Sequence, residues 1–269
     1  MNPDTAAPES RPPRRAGDAS RLPTAARRVA TLLLTFSIAA APQSAPAANT
    51  AAAPNAASAA SAANDFSAAE RMLFVDNHLK SMQPPQTLHY TFRKSGTLEP
   101  AFDDSVDVKL AAQAGGGCCA ASARFLTGDH ALPMPEVEGA QGNPAILYFL
   151  EREIREMERL TKGKANYFRK RLRMAIFQGA TIRQVTLPFK GRPVAVSEIA
   201  IAPYLDDPNR SRYEKLANKR YVFQLTPDVP GGLYGIHTRI DGATADAPPL
   251  LIEQMALDGA APAPTPRKP

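Results

Sequence analysis

The chain has 269 residues with 32 basic and 26 acidic side chains, which give it a formal net charge of +6. Positions 1–47 hold six of the basic and three of the acidic residues, so the remainder carries a net charge of only +3. A nucleic-acid binder needs a concentrated basic surface and, for single strands, aromatic residues on which bases stack. The excess of basic over acidic residues is small and scattered, so nucleic acid is not an expected partner.

The N-terminal segment has the three parts of a secretory signal. Residues 1–28 are polar and end in two arginines, residues 29–41 are the apolar run VATLLLTFSIAAA, and Ala45 and Ala47 suit a peptidase that cuts after Ala47. The run is too short to span a bilayer, which takes about 20 apolar residues. A soluble periplasmic protein with no transmembrane segment in its mature chain is predicted. A segment that stays uncut as an N-terminal anchor is the alternative.

Composition divides the rest of the chain into three parts. Residues 48–64 are an Ala, Ser and Asn linker with nothing to bury, and residues 258–269 are a Pro-rich tail, so both are predicted to be disordered. Residues 65–257 have a suitable length for a single domain. Within them, the amphipathic pattern of residues 66–82 predicts a helix that ends before two prolines.

Alternating apolar and polar residues predict strands over much of this domain. Leu88, Tyr90 and Phe92 alternate with polar neighbours, as in a sheet with one buried face. Similar patterns predict strands around Val106, Tyr221 and Tyr234 and at 118–126, 182–189, 193–202 and 250–257, with a hairpin turn at 190–193. The predicted fold is α+β: a curved, half-barrel-like antiparallel sheet of about eight strands, with an N-terminal helix and a central helix packed on it.

A long central helix is predicted between the two groups of strands. Over residues 147–176, apolar or small residues recur every three or four positions and form one stripe. Asn143 followed by Pro144 fits a helix cap and first turn. Gly163 weakens the middle and predicts a break into two helices near 162–164.

The charged residues around this stripe have two interpretations. Residues 151–173 contain thirteen ionisable side chains, nine of them basic. Opposite charges at i and i+4, such as Glu151 and Arg155, favour the solvated face of a helix. The alternative is a patch for an anionic lipid head group or an acidic partner in the second half, where four basic residues have little acid nearby: Arg169, Lys170, Arg171 and Arg173.

The sequence contains no recognisable catalytic motif. It has no P-loop, no G-x-S-x-G elbow, no H-E-x-x-H and no dinucleotide fingerprint. Its four histidines are scattered without metal-ligand spacing, and the adjacent aspartates at 103–104 and 206–207 are not expected to form a catalytic pair. A non-catalytic protein with no cofactor and no metal is predicted.

Cys118 and Cys119 directly follow three glycines. An oxidising compartment favours a disulfide, but adjacent Cα atoms about 3.8 Å apart across a trans peptide lie below the usual disulfide range. Two unbridged cysteines on opposite faces of a strand are therefore favoured. A vicinal disulfide in a turn made by the glycines, or a redox pair, is the alternative.

Two sets of segments carry a family resemblance. The predicted signal and N-terminal helix, then LHYTFRKSGTLEP and SVDVKLAA, resemble the start of exported proteins of the LolA/LolB lipoprotein-carrier superfamily. The resemblance implies an antiparallel half-barrel whose concave apolar face is plugged by helices. The segments ILYFLEREIREMERL, IAIAPYLDDPNRSRYE and RYVFQLTPDVPGGLYGI look more like a family of exported bacterial proteins of uncharacterised function, so lipoprotein transport itself is not implied.

Three functions are compatible with these patterns. The favoured one is a binding protein whose helix stripe lines a lipid-like or other apolar ligand through Leu150, Ile154, Met157, Phe168 and Leu172. The second is an interaction or structural module that docks an envelope protein and has a packed interior. The third is an enzyme of unrecognised type. An apolar cavity lined by both sheet and helix would favour the first, and a filled interior would favour the second.

Overall fold

Eight antiparallel strands form one open sheet in the order β3-β2-β1-β8-β7-β6-β5-β4. The structure is a computed structural model and describes residues 66–113 and 118–261, so the predicted signal and linker lie outside the described residues. Three helices pack on the sheet, and the predicted α+β class is confirmed. The strands are β1 (Gln86–Ser95), β2 (Phe102–Ala112), β3 (Cys118–Phe125), β4 (Thr181–Phe189), β5 (Arg192–Ile201), β6 (Arg220–Leu225), β7 (Leu233–Ile240) and β8 (Leu251–Leu257).

The alternation in β1 separates a core face from a solvent face. Leu88, Tyr90 and Phe92 are at most 2% exposed, whereas the residues between them are exposed to solvent. Successive side chains of a strand point to opposite faces, so this spacing places every second residue of β1 in the core. The strands predicted from this pattern are confirmed.

The turn between β4 and β5 is a two-residue hairpin at the predicted position. Lys190 and Gly191 have φ angles of 47° and 78°. Two central residues with positive φ match the right-handed twist of the flanking strands, and glycine adopts this conformation without a Cβ penalty.

The N-terminal helix is shorter than predicted. Helix α1 (Ala68–Glu70) continues as a π-helical segment at Arg71–Val75 and ends at Asp76. The Leu79 N–H donates both to Asn77 Oδ1 at 3.1 Å and to the Gln141 carbonyl at 3.1 Å, instead of joining a helix. An Asn side chain that binds the backbone two residues on competes with helix formation. The prediction of a helix through residue 82 was therefore wrong.

The central helix is broken where the sequence predicted. Helix α2 (Pro144–Thr161) ends at Lys162, which has a left-handed φ of 57°, and helix α3 (Ala165–Gln178) follows. A Cβ on Gly163 would lie 2.7 Å from the Phe168 ring, so a residue with a side chain would have to displace that ring. At the other end of α2, Asn143 Oδ1 accepts from the Ala145 N–H at 3.0 Å and forms the predicted cap.

The chain stays attached to the sheet beyond β8. The Lys190 N–H donates to the Gly259 carbonyl at 2.8 Å, and the Ala261 N–H donates to Tyr234 Oη at 2.9 Å. Residues 258–261, the start of the predicted tail, thus bind the β4–β5 turn and β7. Residues 262–269 lie outside the described residues.

Candidate functional site

An apolar groove of about 650 Å³ lies among the three helices. Phe66, Phe74 and Leu147 line it and are 49%, 39% and 54% exposed, which is unusual for large apolar side chains. Contiguous apolar surface open to solvent is typical of a binding site. The other apolar wall residues include Leu150, Ile154, Leu172 and Ile176 of α2 and α3, and Met134 and Val137 of the loop before α2.

Local interactions hold the walls of the groove together. Ser67 and Glu70 form a capping box at the start of α1, and Ser67 Oγ donates to the Ile176 carbonyl at 3.4 Å. These bonds place α1 beside the C-terminal end of α3. Val137 is anchored to β3, because its N–H donates to the Ala121 carbonyl at 2.9 Å. The groove is thus built by segments from three separate parts of the chain.

The rim of the groove is polar and slightly basic. Glu151 pairs with Arg155 at 3.4 Å and with Arg169 at 2.9 Å, whereas Arg173 makes no ion pair with any residue in 66–113 or 118–261. Glu70, the other carboxylate at the groove, accepts from the Ser67 N–H at 3.0 Å. Arg155 and Arg169 share one carboxylate and Arg173 has none among the residues described, so the rim keeps an excess of positive charge that suits an anionic head group.

The five residues predicted to line a ligand do not form one surface. Leu150, Ile154 and Leu172 line the groove. Met157 is 1% exposed in the core, and the Phe168 ring packs edge-on against Tyr204 and Tyr213 at 5.9 and 6.0 Å. Each helix contributes residues to both sets, so the stripe divides between the groove wall and the interior within α2 and again within α3.

The four basic residues predicted as an anionic-partner patch also divide. Arg169 and Arg173 border the groove, and Lys170 is exposed. Arg171 instead lies 2.8 Å from the buried carboxylate of Asp207, and its Nε donates to the Pro203 carbonyl at 3.1 Å. Arg171 therefore contributes to packing, and the patch consists of the other three.

Cys118 and Cys119 form a vicinal disulfide, and the peptide bond between them is cis. The disulfide contradicts the favoured prediction of two unbridged cysteines on opposite faces of a strand. Cys119 is fully buried and Cys118 is partly buried. The three glycines predicted to form a turn before them lie outside the described residues.

A cluster of buried charges lies between α2 and the sheet, and the sequence analysis missed it. Arg152 Nη1 lies 2.6 Å from Glu153 Oε1 and 2.9 Å from Glu253 Oε1. Lys219 Nζ lies 2.9 Å from Glu253 Oε2 and also pairs with Glu153. These four residues are at most 4% exposed. The prediction that the charges of 151–173 face solvent is therefore wrong for Arg152 and Glu153.

The two buried carboxyls respond in opposite directions to this environment. Burial and the nearby Glu253 carboxylate raise the pKa of Glu153, and Lys219 and Arg152 offset only part of this effect. Burial alone would also raise the pKa of Glu253, but Lys219 and Arg152 hold that pKa well below its ordinary value. For Lys219, burial opposes the charged form, yet Glu153 and Glu253 raise its pKa. The cluster thus favours charged Lys219 and charged Glu253.

The cluster continues toward the surface. Lys94 Nζ lies 4.0 Å from Glu253, 3.7 Å from Glu156 and 2.5 Å from Glu99, and Arg159 pairs with both Glu99 and Glu156. Four cations thus alternate with four carboxylates, and the network joins α2 to β1, to β8 and to the residue before β6. Its inner part has almost no exposure, so its evident role is to hold α2 on the sheet.

Comparisons with known proteins add no family assignment. No protein-family model matches the chain, and no curated protein matches it as a relative. Across the residues that the structure describes, no helix has both the length and the apolar character needed to cross a bilayer. In the same residues no group of three or more His, Cys, Asp or Glu side chains is placed to hold a metal ion.

Proposed function

We propose that this protein is a non-catalytic binding protein of the bacterial cell envelope that holds a lipid-like ligand in the groove among its helices. The observation that carries the proposal is an apolar wall left open to solvent next to arginines. A volume of about 650 Å³ lies within the range of small-molecule sites, about 300–1,000 Å³. The proposed ligand has one apolar chain and one anionic head group.

The apolar walls and the polar rim of the groove support a separate place for each part of the proposed ligand. The apolar chain lies along Phe66, Phe74 and Leu147, where its burial removes exposed hydrophobic surface from water. The carboxylate or phosphate head group lies at Arg155, Arg169 and Arg173. A guanidinium binds both kinds of anion through paired N–H donors, so the rim favours an acid over a neutral lipid.

This site differs from the one that the half-barrel resemblance implies. Leu88, Tyr90 and Phe92 on the inner face of β1 are buried in one continuous core with the helices. Met157 and Phe149 of α2 belong to the same core. The space between sheet and helices is therefore filled by side chains, and we place the ligand on the helices instead.

A groove variant tests the proposal. Changing Leu147→Gln is expected to weaken binding of a fluorescent fatty acid about tenfold, because it places an amide on the apolar wall without filling the groove. Leu147 is exposed, so the free energy of unfolding should change little. The measurement is a fluorescence titration of purified protein.

The matched control is Leu205→Gln, which changes an exposed leucine outside the groove wall and should leave the affinity unchanged. Arg173→Gln should weaken binding of the fatty acid but not of the corresponding fatty alcohol. Absence of probe binding to the unaltered protein, or equal losses in the two leucine variants, would contradict the proposal.

A second candidate function is an interaction module, and the filled interior favours it. A partner's amphipathic helix would then occupy the groove through apolar residues at i, i+3 and i+7. Native mass spectrometry of protein purified from the periplasm distinguishes the two functions. A co-purified lipid supports the binding protein, whereas a lipid-free protein that also fails to bind the fatty-acid probe supports the module.

Export is part of the proposal, because the ligand is proposed to come from the cell envelope. Cleavage after Ala47 should leave a mature chain that begins at Ala48, since small residues stand at both recognition positions. N-terminal sequencing of the protein from the periplasmic fraction measures this. Recovery of intact residues 1–47 in the membrane fraction would instead show an uncut anchor.

A further inference from the structure

The outer face of α3 combines basic and large apolar side chains. Lys170, Arg173, Met174 and Phe177 lie at i, i+3, i+4 and i+7, so they form one stripe along the helix. All four are exposed, with Met174 at 37% and Phe177 at 48%. A surface helix of a globular protein usually presents polar residues on this side, so Phe177 and Met174 indicate a surface that is covered in another state.

Positive charge on this helix is only partly neutralised. Helix α3 contains four basic residues and no acidic residue. Arg169 pairs with Glu151, and Arg171 pairs with Asp207. Lys170 and Arg173 make no ion pair with any residue in the described part of the chain. Two uncompensated cations therefore stand on the same stripe as the two exposed apolar residues.

The stripe continues into the mouth of the groove. Arg173 belongs to both, and the Ser67 hydroxyl binds the Ile176 carbonyl, which places the start of α1 beside the end of α3. Phe66, next to Ser67, is exposed at that point. The basic and apolar character of α3 therefore extends to the side chains that line the entrance of the groove.

We propose that this face of α3 docks the protein on an anionic lipid bilayer. Helices that lie in the membrane interface carry Lys or Arg on one side of an apolar strip of Phe, Leu or Trp, and they bind through both charge attraction and apolar insertion. Lys170 and Arg173 match the negative lipid head groups, and Phe177 and Met174 enter the boundary below them. Docking brings the groove entrance to the membrane, but it does not depend on what the groove holds.

Vesicle binding tests the docking surface. The unaltered protein should bind vesicles of equal parts phosphatidylglycerol and phosphatidylcholine much more tightly than vesicles of phosphatidylcholine alone, and added salt should weaken this binding. Lys170→Glu should lower the affinity about thirtyfold, since it removes one positive charge and adds a negative one at the surface. Phe177→Ser, which leaves the charge unchanged, should also lower it. The measurement is co-sedimentation.

Lys109→Glu is the charge-matched control. Lys109 is exposed on β2, and its neighbours Val108 and Leu110 point into the core, so it lies on the face of the sheet opposite the helices. This variant should keep the affinity of the unaltered protein. Three results would each overturn the inference: equal losses of affinity in the Lys109 and Lys170 variants, equal binding to both kinds of vesicle, or no vesicle binding. The last result is expected if an acidic protein, not a membrane, covers this face. Lys170→Glu should leave fatty-acid binding unchanged, so the proposal for the docking surface and the proposal for the groove can each be contradicted without the other.

Discussion

Replacing Lys219 with Met is expected to lower the free energy of unfolding by about 3–5 kcal/mol. Lys219 is 2% exposed, and its ammonium group is, with the Arg152 guanidinium, one of two cations that pair with both Glu153 and Glu253. The variant leaves two buried carboxylates with Arg152 as their main remaining cation. Removing one partner from a buried ion pair is costly because the other charge cannot return to water. Urea denaturation followed by circular dichroism measures the change.

Two further variants distinguish the effect of removing the buried charge from the effect of removing any lysine side chain. Lys215→Met changes an exposed lysine in the preceding 3₁₀ segment, Glu214–Asn218, and should have little effect. The double variant Lys219→Met with Glu153→Leu removes one charge of each sign and leaves Arg152 paired with Glu253. It should therefore recover a large part of the stability. A double variant no more stable than Lys219→Met would show that packing around the lysine, not charge balance, determines the loss.

The strands and the break in the central helix were predictable because their causes are local. Alternating residues such as Leu88 and Tyr90 establish which face of β1 is buried without reference to distant parts of the chain. Likewise, Asn143 and Gly163 mark the start and the break of the central helix within a few residues. The N-terminal helix was predicted too long because residues 78–81 form a turn whose Leu79 N–H binds Gln141, a contact that periodicity does not reveal.

The buried charge cluster depends on partners far apart in the sequence. Arg152 and Glu153 appear beside other charged residues, so their pattern resembles a solvated helix face. A signal for burial was nevertheless present in β8, where Leu251, Glu253, Met255 and Leu257 share the buried face. Period-2 alternation therefore indicated a buried carboxylate at Glu253, which requires a cation nearby. The sequence alone does not reveal that Lys219 and Arg152 supply it.

The groove was only partly predictable for a related reason. The helix stripe included Leu150, Ile154 and Leu172 of the groove wall, but its spacing did not separate them from its other two members, which lie in the core. The other walls come from Phe66 and Phe74 at the N-terminal end and from the loop before α2. Their meeting with the stripe depends on tertiary contacts, such as the bond from Ser67 to the end of α3. Periodicity assigns a side to each helix but does not show what that side faces.

Met157→Ala is expected to lower the free energy of unfolding by about 2–5 kcal/mol and to leave fatty-acid affinity unchanged. Met157 is 1% exposed and belongs to the core between α2 and the sheet, outside the groove wall. Truncation therefore removes buried methylene and thioether groups and leaves a cavity that the packed surroundings close only in part. A residue that lined a ligand cavity would instead cost less than about 1.5 kcal/mol and alter probe uptake.

Two measurements on the same protein preparation show whether Met157 lies in the core or lines a ligand cavity. Urea denaturation gives the stability change, and titration with the fluorescent fatty acid, at a temperature where the variant stays folded, gives the affinity. Met174→Ala is the matched control, because Met174 is 37% exposed on α3 and its truncation should change stability by about 0.5 kcal/mol or less. A small stability loss for Met157→Ala together with altered probe binding would place the ligand between helix and sheet. The groove among the helices would then not be the binding site.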